Sequence, residues 1–456
     1  MTLLDVSAVD VALPSMRAGL HATPGDLQWV LSGYALAFGL VLVAAGRLGD
    51  AWGRRGLFIA GLAAFTLASA AAGLSTTPSF LLAARLVQGL AAGVLNPQIM
   101  GLIQQMFHGR ERGRAFGLLG ASIGLSTAIG PIAGGLLIAA AGAHNGWRLI
   151  FFINVPIGVA ALASARALLP PGTTSGKTRN LLADLDPIGV LLVAAALLLI
   201  LLPLIEQQRW HGGAKWALLG AGCVLLACFA AWERRYARTR EPLVDPGLFR
   251  LRSYTLGSLV ALIYFGGFTA IFFIFTVYLQ NGLGYSALLA GAAITPFAAG
   301  TALAAGVGGR FTTRHGHAMV ACGLLMVAIG LGGTMLAAHD VQNRAIGWAT
   351  LAPLLLAGLG TGLVIAPNEA LTLTDVPPRR TGSAAGVLQT GQRLGSALGI
   401  AIVSSVFYAD FAPNPHQAAH ALERGLAIAT GFVLLALIPA LVDLATSRRH
   451  RPPSRQ

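Results

Sequence analysis

Four ionisable residues stand inside apolar runs, and their types suggest proton or cation chemistry. Asp5 and Asp10 lie in the first run, Arg85 in a run near 79–106, and Arg393 in a run near 383–408. An ionisable group held out of water is costly unless paired, so each is a functional candidate. With the runs read as helices, Arg85 sits about 10 Å into its span, while Asp5 and Asp10 lie about 13 and 6 Å below Pro14. Those depths bracket Arg85. The two acids are separated by about 140° around a helix, so they do not both face one partner squarely. Burial raises a carboxyl's pKa and a nearby arginine lowers it, and a site tuned between the two can load a proton on one side and release it on the other. The competing reading is a permanent Asp–Arg pair that locks two helices together. For Arg393, the nearest acid in sequence is Glu369, which lies closer to the end of its own run. A further run carries Tyr264, Phe265, Phe268, Phe272, Phe275 and Tyr278. Tyr264, Phe268 and Phe275 fall near one helical face, where they could stack on flat or cationic ligands, or simply face lipid.

The elements that position these residues are membrane helices. Only 11% of the 456 residues are charged and 55% are apolar, against roughly 25% charged in a soluble domain. The apolar residues form runs long enough to span a hydrocarbon layer about 30 Å thick as helices, with every backbone group bonded internally. About fourteen such helices are expected. The net charge of +14 could suggest nucleic acid. Its basic residues instead cluster in short connections, as at Arg54-Arg55, Arg110 to Arg114, Arg234 to Arg240, Arg379-Arg380 and Arg448 to Arg451. That is positive-inside signalling. With the 49–56 loop in the cytoplasm, most basic residues fall on that side, and both termini lie there too. Cys223, Cys228 and Cys322 sit in apolar runs, so neither a disulfide framework nor a metal site is expected.

The first run is short. Met1–Leu13 precede Pro14, about 20 Å of helix, and the segment lacks the basic start and cleavage site of a signal peptide. The expectation is that the natural chain begins upstream of Met1, completing helix 1.

A repeat relates two parts of the chain. Gly46-Arg47-Leu48-Gly49-Asp50-Ala51-Trp52-Gly53-Arg54 joins expected helices 2 (near 27–48) and 3 (near 57–75), and Gly309-Arg310-Phe311-Thr312-Thr313-Arg314-His315-Gly316-His317 joins expected helices 10 (near 286–309) and 11 (near 317–337). Both keep Gly-Arg at the start and Gly-basic at the end. The organisation this supports is an N-terminal six-helix half over 1–170, two inserted helices and their linkers over 171–252, and a C-terminal six-helix half with a basic tail over 253–456. Parallel repeats of this kind place a substrate site near the midplane, between the halves.

The segment from Gly46 to Arg55 resembles the loop signature between helices 2 and 3 of the major facilitator superfamily. In that family the loop acts as a latch holding one face of the carrier closed, which implies roles for Gly46, Gly49, Asp50, Gly53, Arg54 and Arg55. Asp50 can accept hydrogen bonds from free amides at a helix start, and Arg54 and Arg55 can anchor the turn at lipid headgroups. Gly120, Gly124, Gly130, Pro131, Gly134 and Gly135 resemble the antiporter signature of helix 5, which in the family marks exporters. Small residues four apart allow close helix packing, and Pro131 removes a ladder bond. Trp147-Arg148, with Phe151-Phe152-Ile153-Asn154-Val155-Pro156-Ile157-Gly158, resembles the entry to helix 6 in fourteen-helix drug:proton antiporters. Leu4 to Pro14 resembles that branch's helix 1 signature, departing at Asp10, where the branch usually has asparagine. Asp5 matches the family's helix 1 acid and is taken as the coupling residue, with Arg85 and Asp10 beside it.

The resemblance covers essentially the whole chain. It implies a proton-coupled antiporter that exports lipophilic, often cationic drugs across the bacterial cell (inner) membrane, conferring antibiotic resistance. Its partners would be a small-molecule substrate, protons and the bilayer, with no nucleic acid, no cofactor and a monomeric state. The same motifs would serve a specialised exporter of a metabolite, an amino acid or a self-made antibiotic. A membrane-embedded enzyme would need clustered His, Asp or Cys, and the histidines are scattered. No Gly-x4-Gly-Lys-Ser/Thr run is present, so the proton gradient is the expected energy source.

Overall fold

A computed structural model describes residues 1–170, 186–206, 212–412 and 414–449, and among these every regular element is helical. The long helices are α1 (Thr2–Leu20), α2 (Pro24–Trp52), α3 (Arg54–Gly73), α4 (Pro78–Met106), α5 (Gly109–Phe152), α6 (Asn154–Leu168) and α7 (Pro187–Ile205). They continue with α8 (Ala214–Tyr236), α9 (Arg252–Val277), α10 (Ala287–Gly308), α11 (Thr312–Asp340), α12 (Leu351–Thr372), α13 (Thr381–Asp410) and α14 (Pro415–Arg449). A single π-turn, Tyr278–Gly282, extends α9.

Local sequence explains the boundaries. Thr23 and Asp26 form a capping box ahead of α2, with Pro24 at its first position, where a missing N–H costs nothing. Gly53 separates α2 from α3 at φ 103°, a backbone conformation that side-chain-bearing residues resist. Asp186 caps α7, its Oδ1 accepting from Gly189 N at 3.2 Å, and the Trp232 indole donates to the same carboxylate at 2.9 Å. Glu233 accepts the Val244 amide at 3.1 Å, so the α7–α8 hairpin is closed by two buried acids.

Two boundaries differ from the sequence expectation. α1 continues through Pro14 to Leu20 and ends at His21 in a left-handed conformation. A single proline removes one ladder bond, and here buried Val9, Ala12 and Met16 hold the helix to Trp147, Ile150 and Phe151 across that point. The apolar runs place helices near 115–141 and 149–169; the chain between them is a kink at Gly142 (φ 81°), after which helix resumes.

Twelve helical segments among the described residues are long and apolar enough to cross a bilayer, two fewer than the fourteen expected. The two long helices outside that set are α1 and α13. α1 carries Asp5, Asp10 and Arg17, and α13 carries Gln389, Thr390, Gln392 and Arg393. These polar residues lower their hydropathy.

The chain divides into two compact units. The first comprises Met1–Gln105, Ile129–Gly247 and Pro377–Thr390, and the second Met106–Ala128, Leu248–Val376 and Gly391–Gln456. In the first unit α3 packs on α6, α2 on α7 and α7 on α8. One cluster gathers Met16, Trp147 and Phe151, and another Phe38, Phe65 and Leu95. In the second unit α12 packs on α10 and α11, and α14 on α9 and α11, around Tyr264, Ile271, Phe275, Phe297 and Leu324.

Candidate functional site

The first unit buries a carboxylate–guanidinium pair in apolar surroundings. Arg85 Nη1 donates to Asp5 Oδ2 at 2.5 Å, with the two side chains 1% and 0% exposed. The other Asp5 oxygen, Oδ1, accepts from Gln88 Nε2 at 3.0 Å and from Asn154 Nδ2 at 2.9 Å. Arg85 also donates to Gln88 Oε1 at 2.8 Å and, through Nε, to the Val30 carbonyl at 3.2 Å. Its guanidinium lies 4.1 Å from the Tyr34 ring centroid and 5.8 Å from that of Phe151. Gln88 Nε2 donates onward to Ser69 Oγ at 2.6 Å. The site thus draws on α1, α2, α3, α4, α5 and α6.

The arrangement follows from helical spacing. Gln88 is one turn from Arg85 on α4, so both side chains reach the same carboxylate. Trp147, fully buried, fixes the segment after the Gly142 kink, and Arg148 caps α3 by donating to the carbonyls of Gly73 at 2.9 Å and Ser75 at 2.5 Å. That anchoring aims Phe151 at Arg85 and Asn154 at Asp5. The pairing expected from sequence, Asp5 with Arg85, is present. The side chain of Asp10 lies outside those described. Sequence reasoning missed Gln88, Ser69 and Asn154. Asn154 had a signal in the Phe151–Gly158 motif, whereas Ser69 had none.

A second cluster lies at the α2–α3 turn. Asp50 Oδ1 accepts from Arg54 Nη2 at 2.7 Å and from Gly382 N at 2.8 Å, and Oδ2 accepts from Ser383 N at 2.8 Å. Asp50 therefore caps the first turn of α13, where free amides and the positive end of the helix dipole favour a carboxylate. Arg54 is buried and also donates to the carbonyls of Gly101 at 3.0 Å and Pro378 at 2.5 Å. The expected headgroup anchor is thus corrected for Arg54: its guanidinium satisfies carbonyls and Asp50 inside the protein. Arg55 is half-buried and donates to the Arg166 carbonyl at 2.8 Å. A Cβ on Gly46 would overlap the Gly382 carbonyl, and one on Gly49 would overlap the Gln98 side chain, so both glycines permit close approach.

The helix 5 glycines serve two neighbours. A Cβ on Gly120 would come within 3.0 Å of Ala305 and one on Gly124 within 2.7 Å of Ala302, both on α10 in the second unit. Gly130 faces Ser7, and a Cβ on Gly134 would lie 3.1 Å from the Ala8 carbonyl, both on α1 in the first unit. Gly135 is half-buried, and the Pro131 side chain lies outside those described.

The aromatic residues of α9 belong to the core of the second unit. Tyr264 is buried, donates to Thr361 Oγ1 at 2.7 Å and stacks on Phe268 with centroids 5.6 Å apart. Phe275 is buried farther along, beside Tyr278. Arg393 is exposed and has an interaction partner. The nearest acid in sequence, Glu369, instead accepts from Gln392 Nε2 at 3.2 Å through Oε1. One residue turns a helix by about 100°, which carries Arg393 off the face that Gln392 presents.

The family model described as Major Facilitator Superfamily matches residues 1–400. The chain is 36% identical over 412 residues to a probable actinorhodin transporter of Streptomyces coelicolor, covering 90% of this chain and 70% of that one. It is 31% identical over 456 residues to the multidrug resistance protein Stp of Mycobacterium tuberculosis, covering 99% and 80%. Among solved structures, the proton:xylose symporter XylE superposes with a TM-score of 0.64 at 14% identity, covering 96% of this chain and 92% of that one, a likeness of fold alone. The chain is a multi-pass membrane transporter and belongs to the Major Facilitator Superfamily.

Proposed function

We propose that this transporter is a proton-coupled antiporter that exports lipophilic, often cationic, antibiotic-like compounds, with Asp5 as its coupling carboxyl. The buried Asp5–Arg85 pair is the observation that carries this reading. A carboxylate held by a cation and two amides is stable while ionised. When Arg85 withdraws, a proton takes the place of the cation, so protonation and rearrangement of α1 against α4 are linked. Asp50 is the latch: its three bonds at the start of α13 and to Arg54 hold one conformation, and their release frees it.

In this reading α1 and α13 also cross the bilayer, with their polar residues turned inward, giving two six-helix halves with α7 and α8 inserted. The protein resides in the bacterial cell membrane as a monomer with both termini cytoplasmic. A second reading, export of one specialised product, draws on the similarity to a probable actinorhodin transporter, whose name specifies a single compound.

The test is efflux of a lipophilic cation such as ethidium from cells producing the parent or Asp5→Asn, with membrane levels of both measured. Loss of efflux at equal levels supports the coupling role. Loss of the protein itself supports a permanent structural pair.

A further inference from the structure

Glu369 is the buried acid of the second unit among the described residues. It stands in the last turn of α12 (Leu351–Thr372), directly after Pro367 and Asn368. The Asn368 side chain is engaged, donating to the Gly257 carbonyl at 2.9 Å. The side-chain partner of Glu369 is a neutral amide, Gln392 Nε2. Charged and titratable groups on the helices around it are accounted for otherwise. α10 carries none. On α11, Arg314, His315 and His317 lie in the first turns, and His317 faces Asp443 at 3.3 Å. On α9, Arg252 pairs with Asp443 at 2.8 Å, Tyr254 is buried against Phe249 and Tyr264 donates to Thr361. On α5, where Gly120 meets Ala366 of α12, Arg112 donates to Thr374 Oγ1 at 3.3 Å. On α13, Arg393 has its own partner. No cation among the described residues forms an ion pair with Glu369.

An ionised carboxylate here meets two costs. It lacks water and a counter-charge, and it faces the negative end of its own helix dipole. A proton or a bound cation removes both.

We propose that Glu369 is a second cation-binding carboxyl, carrying an exchangeable proton in this conformation and releasing it when a lipophilic cation binds. The proposal rests on the proton-antiport reading but is tested without transport. A hydrophobic carbodiimide adds to a protonated carboxyl in apolar surroundings, and peptide mass spectrometry locates the adduct. In the purified parent, the peptide containing Glu369 should be labelled in mildly acidic buffer. The labelling should fall severalfold in alkaline buffer and again when tetraphenylphosphonium is added. Glu369→Gln, whose carbonyl still accepts from Gln392, should abolish the label while the protein remains folded. Absence of label at Glu369 in acid, or labelling indifferent to both pH and the cation, overturns the proposal. Failure of the antiport reading appears elsewhere, as parent vesicles that move no protons although Glu369 is labelled.

Discussion

The two units treat a buried carboxyl in opposite ways. In the first, Asp5 has an arginine on one oxygen and two side-chain amides on the other, and Tyr34 covers the guanidinium. In the second, Glu369 has one amide and sits at the unfavourable end of a helix. In the proposed reading, a carboxylate paired this way changes state only when its cation moves, which would tie Asp5 to helix rearrangement. A carboxyl with a neutral partner gains or loses a proton with little rearrangement. The first arrangement suits a switch, and the second suits a binding site.

The sharpest way to break this comparison is to remove the cation. Arg85→Ala leaves Asp5 buried without its counter-charge and should cost about 3–5 kcal/mol, read as a large drop in thermal stability of the purified protein. Combining it with Asp5→Asn should recover much of that loss, since two neutral groups need no counter-ion. Next is the latch. Asp50→Ala removes the α13 cap, worth about 0.5–2 kcal/mol, and leaves Arg54 without its anion. Asp50→Asn, which keeps an acceptor, should lose less. Tyr264→Phe deletes the bond to Thr361 and should cost about 1 kcal/mol if that ring is core. It should leave ligand affinity unchanged, whereas a weaker affinity for a flat cation would make the ring part of the binding surface. The smallest stability effect is expected for Glu369→Gln, within about 0.5 kcal/mol because the Gln392 bond survives. A loss comparable to that of Arg85→Ala would erase the distinction between the two acids.

Much of this was legible in the residues themselves. Apolar run lengths gave the helices, and rise per residue placed Arg85 between the depths of Asp5 and Asp10; the choice of Asp5 came from its match to the family's helix 1 acid. The Asp50 carboxylate was legible in type but not in partner. Its amides come from Gly382 and Ser383, more than three hundred positions away, and spacing along the chain carries no information about such a contact. The role of Arg54 was misread for the same reason: a basic residue in a short loop reads as a headgroup anchor until the carbonyls of Gly101 and Pro378 are seen around it. Pro14 misled as a helix end, since burial of the residues on both sides outweighs one lost bond. α1 and α13 fall outside the helices apolar enough to cross a bilayer because polar residues lower their hydropathy.

Substrate-induced proton movement in inverted membrane vesicles, parent beside Asp5→Asn, tests the central claim most directly. Addition of a lipophilic cation should dissipate an imposed pH gradient in parent vesicles and leave it intact in the variant at equal protein content. Equal dissipation by both would remove Asp5 from the coupling mechanism. No response from folded, inserted parent to a broad panel of such compounds would contradict proton-coupled drug export itself.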